Sequence, residues 1–135
     1  MDLIRRVGIR VCATVAAALL AAACGGGGGG GGGGSGTIQT VVVSWTANPD
    51  TAVNRAGGGY RVYYSTINGF SITDPSASVV DVPYSSGAQS PTTTTLQLSS
   101  GVHYFRVVAY SSLNRPGSSG GSQSAPSAQA TVVVP

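Results

Sequence analysis

The side chains from which catalysis or metal binding is ordinarily built are few in this 135-residue chain: two cysteines, one histidine and four aspartates, with neither glutamate nor lysine. Cys24 has the most pointed context, because it follows the small residues Ala21, Ala22 and Ala23 and precedes ten consecutive glycines, Gly25 to Gly34. His103 beside the many serines could suggest a hydroxyl nucleophile with its base, but a lone histidine at a strand start is more often structural. Asp50, Asp74 and Asp81 are spread over separate turns, without the close oxygen-ligand spacing that calcium requires. A hydrolase or lyase needs a nucleophile with a base, paired carboxylates or a metal cluster, so the composition predicts a protein that is not an enzyme and holds no cofactor or metal.

The formal charge of +3 divides unevenly along the chain. Residues 1–23 hold Arg5, Arg6, Arg10 and Asp2, a net +2, leaving Arg55, Arg61, Arg106 and Arg115 against Asp50, Asp74 and Asp81, a net +1. Nucleic-acid binding depends on many phosphate neutralisations, and four scattered arginines form no basic patch, so nucleic acid is set aside as a partner. The two cysteines, Cys12 and Cys24, both precede the glycine tract, so the chain beyond it has no disulfide of its own to form. The 99 residues from Thr37 to Pro135 suffice for one apolar core and are too few for two.

The leader is basic and then apolar, running from Val11 to Ala23. Those thirteen residues fall short of the roughly 20 that a helix needs to cross a hydrocarbon core, so the segment reads as an address. Its junction at Cys24 resembles the lipobox of bacterial lipoproteins, although Ala21 stands where such motifs usually carry leucine. The resemblance implies cleavage of residues 1–23 and acylation of the Cys24 sulfur, which would make a membrane the first partner through that acyl anchor. Gly25 after the cysteine implies, by likeness to Gram-negative lipoproteins, passage to the outer membrane of the cell envelope. Residues 24–36 then form a tether, since glycine cannot bury side chains and loses the most backbone entropy on ordering. Twelve flexible glycine-rich residues reach roughly 20 Å.

From Thr37 onward the apolar period is two. Val41, Val43 and Trp45 share one face of a strand that Asn48-Pro49-Asp50 ends; Tyr60 to Tyr64 follow a Gly-rich loop; Asn68-Gly69 makes a turn; and Ser78 to Val82 is a short strand stopped by Pro83. Thr92 to Leu98, Val102 to Tyr110 and Ala128 to Val134 complete the set, the last after a Gly/Ser-rich loop from Ser111 to Ser124. No segment has a helical period. About six or seven short strands, spaced roughly 8 to 14 residues apart, predict an all-β, antiparallel β-sandwich.

Val43-Ser44-Trp45, Gly59-Tyr60-Arg61-Val62-Tyr63-Tyr64, Leu98-Ser99-Ser100-Gly101 with Tyr104 to Tyr110, and Ser124-Ala125-Pro126-Ser127 together resemble a fibronectin type III domain over nearly all of residues 37–135. Two departures follow. The family's first strand would fall in the glycine tract, so it is expected to be missing or vestigial, leaving Ile38 to Thr46 as a sheet edge able to accept an added strand. The family's tyrosine corner selects Tyr104 by spacing from Leu98. Strand alternation instead turns His103, Phe105, Val107 and Ala109 inward, because the opposite register would bury Arg106 without a partner. His103 is therefore expected at the corner, with Trp45, Tyr60, Val62 and Tyr64 completing the core.

The same alternation sets Arg61, Tyr63, Tyr104, Arg106 and Tyr110 on the outer face as the candidate binding surface. Tyrosine and arginine offer large amphipathic contacts with directional hydrogen bonds, though exposed cross-strand pairs of this kind also stabilise a sheet unaided. The expected function is a lipid-anchored envelope module presenting that face to a protein or polysaccharide. The alternative is a structural or accessory subunit joined to an envelope assembly through the edge strand, with a small enzyme a distant third.

Overall fold

A computed structural model of the chain describes residues 36–113 and 120–135. The leader, Cys24 and the glycine tract up to Ser35 lie outside the described residues, as does Arg115. What is described is all-β and antiparallel. Strands β1 (Ile38–Ser44) and β4 (Thr93–Ser99) pair with Val41 opposite Leu96. The second sheet has the order β3 (Ser78–Pro83), β2 (Gly58–Ser65), β5 (Gly101–Ser111), and the far side of β5 is shared by β6 (Ser122–Gln123) and β7 (Ala130–Val134).

The two sheets face each other across one core. Val41, Val43, Trp45, Leu96 and Leu98 come from the β1–β4 side; Tyr60, Val62, Phe105, Val107, Ala109, Val132 and Val134 come from the other. Each set follows the alternation of its strand, which is why the period of two in the sequence translates directly into burial. The Trp45 and Tyr60 rings meet edge to face at 5.3 Å. The Tyr60 hydroxyl accepts the Asn48 N–H at 2.6 Å, so the polar end of a fully buried ring is used to hold the turn after β1. Among the described residues, Trp45 Nε1 is a buried side-chain polar atom left without a hydrogen-bond partner.

His103 is turned inward near the start of β5. It is buried, and its Nε2 lies 2.9 Å from the Ser99 carbonyl across the β4–β5 turn, so that nitrogen must carry the proton it donates. An imidazole thus bonds back to the main chain at the turn that joins the two sheets. Tyr104 is half-buried on the outer side of the same strand.

Several features differ from the sequence expectation. Tyr64 is only partly buried, stacking on Phe105 at 6.0 Å from the rim of the core. β3 extends through Pro83; as an outer strand it tolerates a residue without an N–H. The stretch expected to be loop up to Ser124 contains the two-residue β6, and β7 starts at Ala130 rather than Ala128. Val53 and Phe70, both in connections, are buried. On the edge question, β1 pairs with β4 on one side, and no strand lies on its other side among the described residues.

Candidate functional site

The break between β6 and β7 shapes the outer face. Ser124 and Ser127 each donate a backbone N–H to β5, to the Ala109 and Val107 carbonyls at 2.9 Å. Each also accepts the N–H of that same β5 residue on its hydroxyl, at 3.0 and 2.9 Å. Two serines therefore satisfy four β5 main-chain groups where a regular strand would need a continuous ladder, and Pro126 between them owes the sheet no N–H. The segment stays close to β5 without being a strand, and outward-facing Val108 is fully buried.

On this face Arg61 and Tyr63 of β2 stand beside Tyr104, Arg106 and Tyr110 of β5, all five half-buried. Tyr63 is paired with Arg106, Arg61 with Val108, and Gly59 with Tyr110. Gly59 is what lets the Tyr110 side chain lie across β2. Its φ is +156°, and a Cβ there would sit 2.9 Å from the Tyr110 hydroxyl and 2.6 Å from the Val82 carbonyl. Tyr110 Oη consequently reaches β3 and donates to Asp81 at 3.3 Å.

Three of the five residues, Arg61, Tyr110 and Arg106, fall into two groups. In the first, the Arg61 guanidinium lies 4.6 Å from the centre of the Tyr110 ring, 3.7 Å from Asp81 and 3.5 Å from Gln123 Oε1, so Asp81, Arg61, Tyr110 and Gln123 join four successive strands. The Arg61 and Asp81 side chains are 41% and 55% exposed, which makes their pairing worth little energetically and leaves both accessible to a partner. Burial, with help from the adjoining Asp81 carboxylate, pushes the Tyr110 phenol above its ordinary value, and Arg61 opposes the shift in part. This hydroxyl is a neutral donor throughout the physiological range. An open cleft of ≈ 280 Å³ adjoins the group, lined by Arg61, Tyr110 and Gln123 together with the hydroxyl-bearing Ser111, Ser112 and Ser122.

In the second group, Arg106 is committed to the fold. Its Nε donates to the Phe70 carbonyl and its Nη1 to the Ser127 carbonyl, both at 3.2 Å, while the guanidinium sits 5.8 Å from the Phe70 ring centre. One side chain thus ties the β2–β3 connection to the lead into β7. The strand alternation that placed Arg106 outward carries no sign of these carbonyls, which are 36 and 21 residues away. Asp81, expected in a turn, lies in β3, whose alternation offers it to the same face, whereas Gln123 sits in a Gly/Ser-rich stretch with no period to read.

Elsewhere, Asp74 accepts the Ser76 N–H and hydroxyl, and these bonds hold its carboxyl below the usual range. Among the described residues no three of His, Cys, Asp and Glu gather as metal ligands would, and no helix is long and apolar enough to cross a membrane. Compared with known proteins, the chain matches no family model, no curated protein and no solved structure.

Proposed function

We propose that this protein is a lipid-anchored binding module of the bacterial cell envelope, a fibronectin type III-like domain tethered through Cys24 that presents its larger sheet to a polysaccharide or protein. The observation that carries the reading is the Asp81–Arg61–Tyr110–Gln123 group beside its cleft. It combines an aromatic ring, a guanidinium, a carboxylate and a carboxamide, each partly exposed and held by its neighbours. Planar polar groups next to an aromatic surface can bond hydroxyls while covering an apolar face of the ligand, and pre-ordering them lowers the entropy lost on binding. Cys24, the leader and the glycine tract supply the anchor, by resemblance to lipoproteins.

The test is a glycan array and an envelope pull-down with the full mature chain, its Arg61→Ala variant and its Tyr63→Ala variant. Capture should fall with Arg61→Ala while the melting temperature holds; equal capture by all three would overturn the reading. Mass spectrometry of the mature N-terminus should find an acylated Cys24, and Cys24→Ala should release the protein from membranes.

A second reading, an accessory subunit joined through an edge strand, is favoured by β1. The bonds from Trp45 N–H to the Thr92 carbonyl and from Ser100 N–H to the Thr37 carbonyl set the odd-numbered residues against β4, directing the main-chain groups of Ile38, Thr40 and Val42 to the opposite edge. Neither β1 nor β4 carries a charge or a proline, the usual protections of an edge. Thr40→Lys should abolish assembly on this reading and leave capture by the sheet face unchanged on the first.

A further inference from the structure

Asn68 and Gly69 form the turn after β2, exposed to solvent, with Gly69 at a φ of +75°. An asparagine followed by glycine is the dipeptide most open to self-modification, because nothing on the glycine shields its nitrogen from the asparagine carboxamide. Here a third residue intervenes. Gln129, just before β7, accepts the Gly69 N–H on Oε1 at 2.9 Å and donates from Nε2 to Asn68 Oδ1 at 2.8 Å. A backbone N–H can only donate, so the first bond fixes which end of the Gln129 amide is oxygen, and the second bond then fixes the Asn68 amide. One carboxamide bridges the would-be nucleophile and the would-be electrophile.

We propose that Asn68 is a site of spontaneous deamidation that Gln129 holds unreacted. The reaction forms a bond from the Gly69 nitrogen to Asn68 Cγ, with loss of the Gly69 amide proton to water and departure of the Asn68 side-chain nitrogen as ammonia. Water then opens the resulting succinimide at either carbonyl, giving aspartate or isoaspartate; no oxidant or reductant is involved. Attack requires the Gly69 nitrogen to lose its proton and approach Cγ. The bond to Gln129 Oε1 holds that proton, and the bond from Nε2 ties the Asn68 carboxamide to the same bridging group, so both must be released for the attack.

The position gives the modification a consequence. Phe70 follows Gly69 directly, and its carbonyl is one of the two that Arg106 grips. A new carboxylate, or the extra main-chain carbon of isoaspartate, would therefore enter the turn beside the tie between the β2–β3 connection and β7.

The experiment follows amide loss and isoaspartate content by peptide mapping while the full chain is incubated at mildly alkaline pH. Gln129→Ala is compared with the unsubstituted protein, native and in urea, with Gly69→Ala as the slow control. Two exposed hydrogen bonds correspond to roughly a tenfold rate difference. Gln129→Ala should deamidate about that much faster than the native protein at an unchanged melting temperature, and the native protein should be slower than the urea-unfolded chain. Equal rates for Gln129→Ala and the native protein, or a slower variant because Nε2 polarises Cγ, would overturn the proposal. If Gln129→Ala does not fold, a native rate as fast as that in urea would overturn it independently.

Discussion

Replacing Arg106 with methionine tests whether this side chain belongs to the scaffold rather than to a binding surface. Methionine keeps an unbranched apolar stem over the sheet and removes the guanidinium, so the Phe70 and Ser127 carbonyls each lose a charged donor at 3.2 Å. Hydrogen bonds to charged groups contribute about 1.5–3 kcal/mol each when well shielded. Arg106 is half-buried and water can partly replace it, which brings the expected loss for the pair to about 1–3 kcal/mol. For a domain of this length that lowers the melting temperature by roughly 4–8 °C per kcal/mol. Urea unfolding followed by Trp45 fluorescence measures the change, with Arg61→Met as the comparison, since Arg61 is held by exposed contacts and its removal should fall within about 0.5 kcal/mol. If Arg106→Met were as mild as Arg61→Met, the cross-tie would contribute nothing and Arg106 would return to the candidate surface.

Two further outcomes follow from the core. Trp45→Ala should lower stability by roughly 3–5 kcal/mol, leaving a domain of ordinary stability largely unfolded in a thermal melt, and an unchanged melting temperature would contradict the packing around the indole. Burial pushes the Tyr60 phenol above its usual 10.0, so the folded state keeps that proton longer than the unfolded chain. Stability from this source is intact below pH 10 and declines as the pH rises from there towards the folded value. Tyr60→Phe should flatten that alkaline decline, leaving the contribution of Tyr110, while costing about 1–3 kcal/mol at neutral pH because the buried Asn48 N–H loses this acceptor.

Strand alternation made the core legible wherever a strand was regular. Val41, Val43 and Trp45 point inward together, and Arg106 alone was enough to choose the β5 register that buries His103, Phe105, Val107 and Ala109. The gathering of Arg61, Tyr63, Tyr104, Arg106 and Tyr110 on one face followed from the same period of two. What periodicity could not convey was anything contributed by connections. Val53 and Phe70 are buried from non-repetitive segments, and Val108 is buried on a face where its position in the strand predicts exposure. The separation of Arg61 and Tyr110, in an accessible group, from Arg106, in a structural tie, depends on main-chain carbonyls and on Gln123, none of which has a signature in side-chain type.

The single tryptophan sits against Tyr60 with its ring nitrogen unbonded, in the smaller of the two sheets' share of the core. The chain is thereby equipped with an optical gauge of its own. An indole without a polar partner emits toward the blue, and nothing else in the sequence competes with that colour, so a red shift would announce the separation of β1 from the opposing layer. The protein can be watched unfolding without any label.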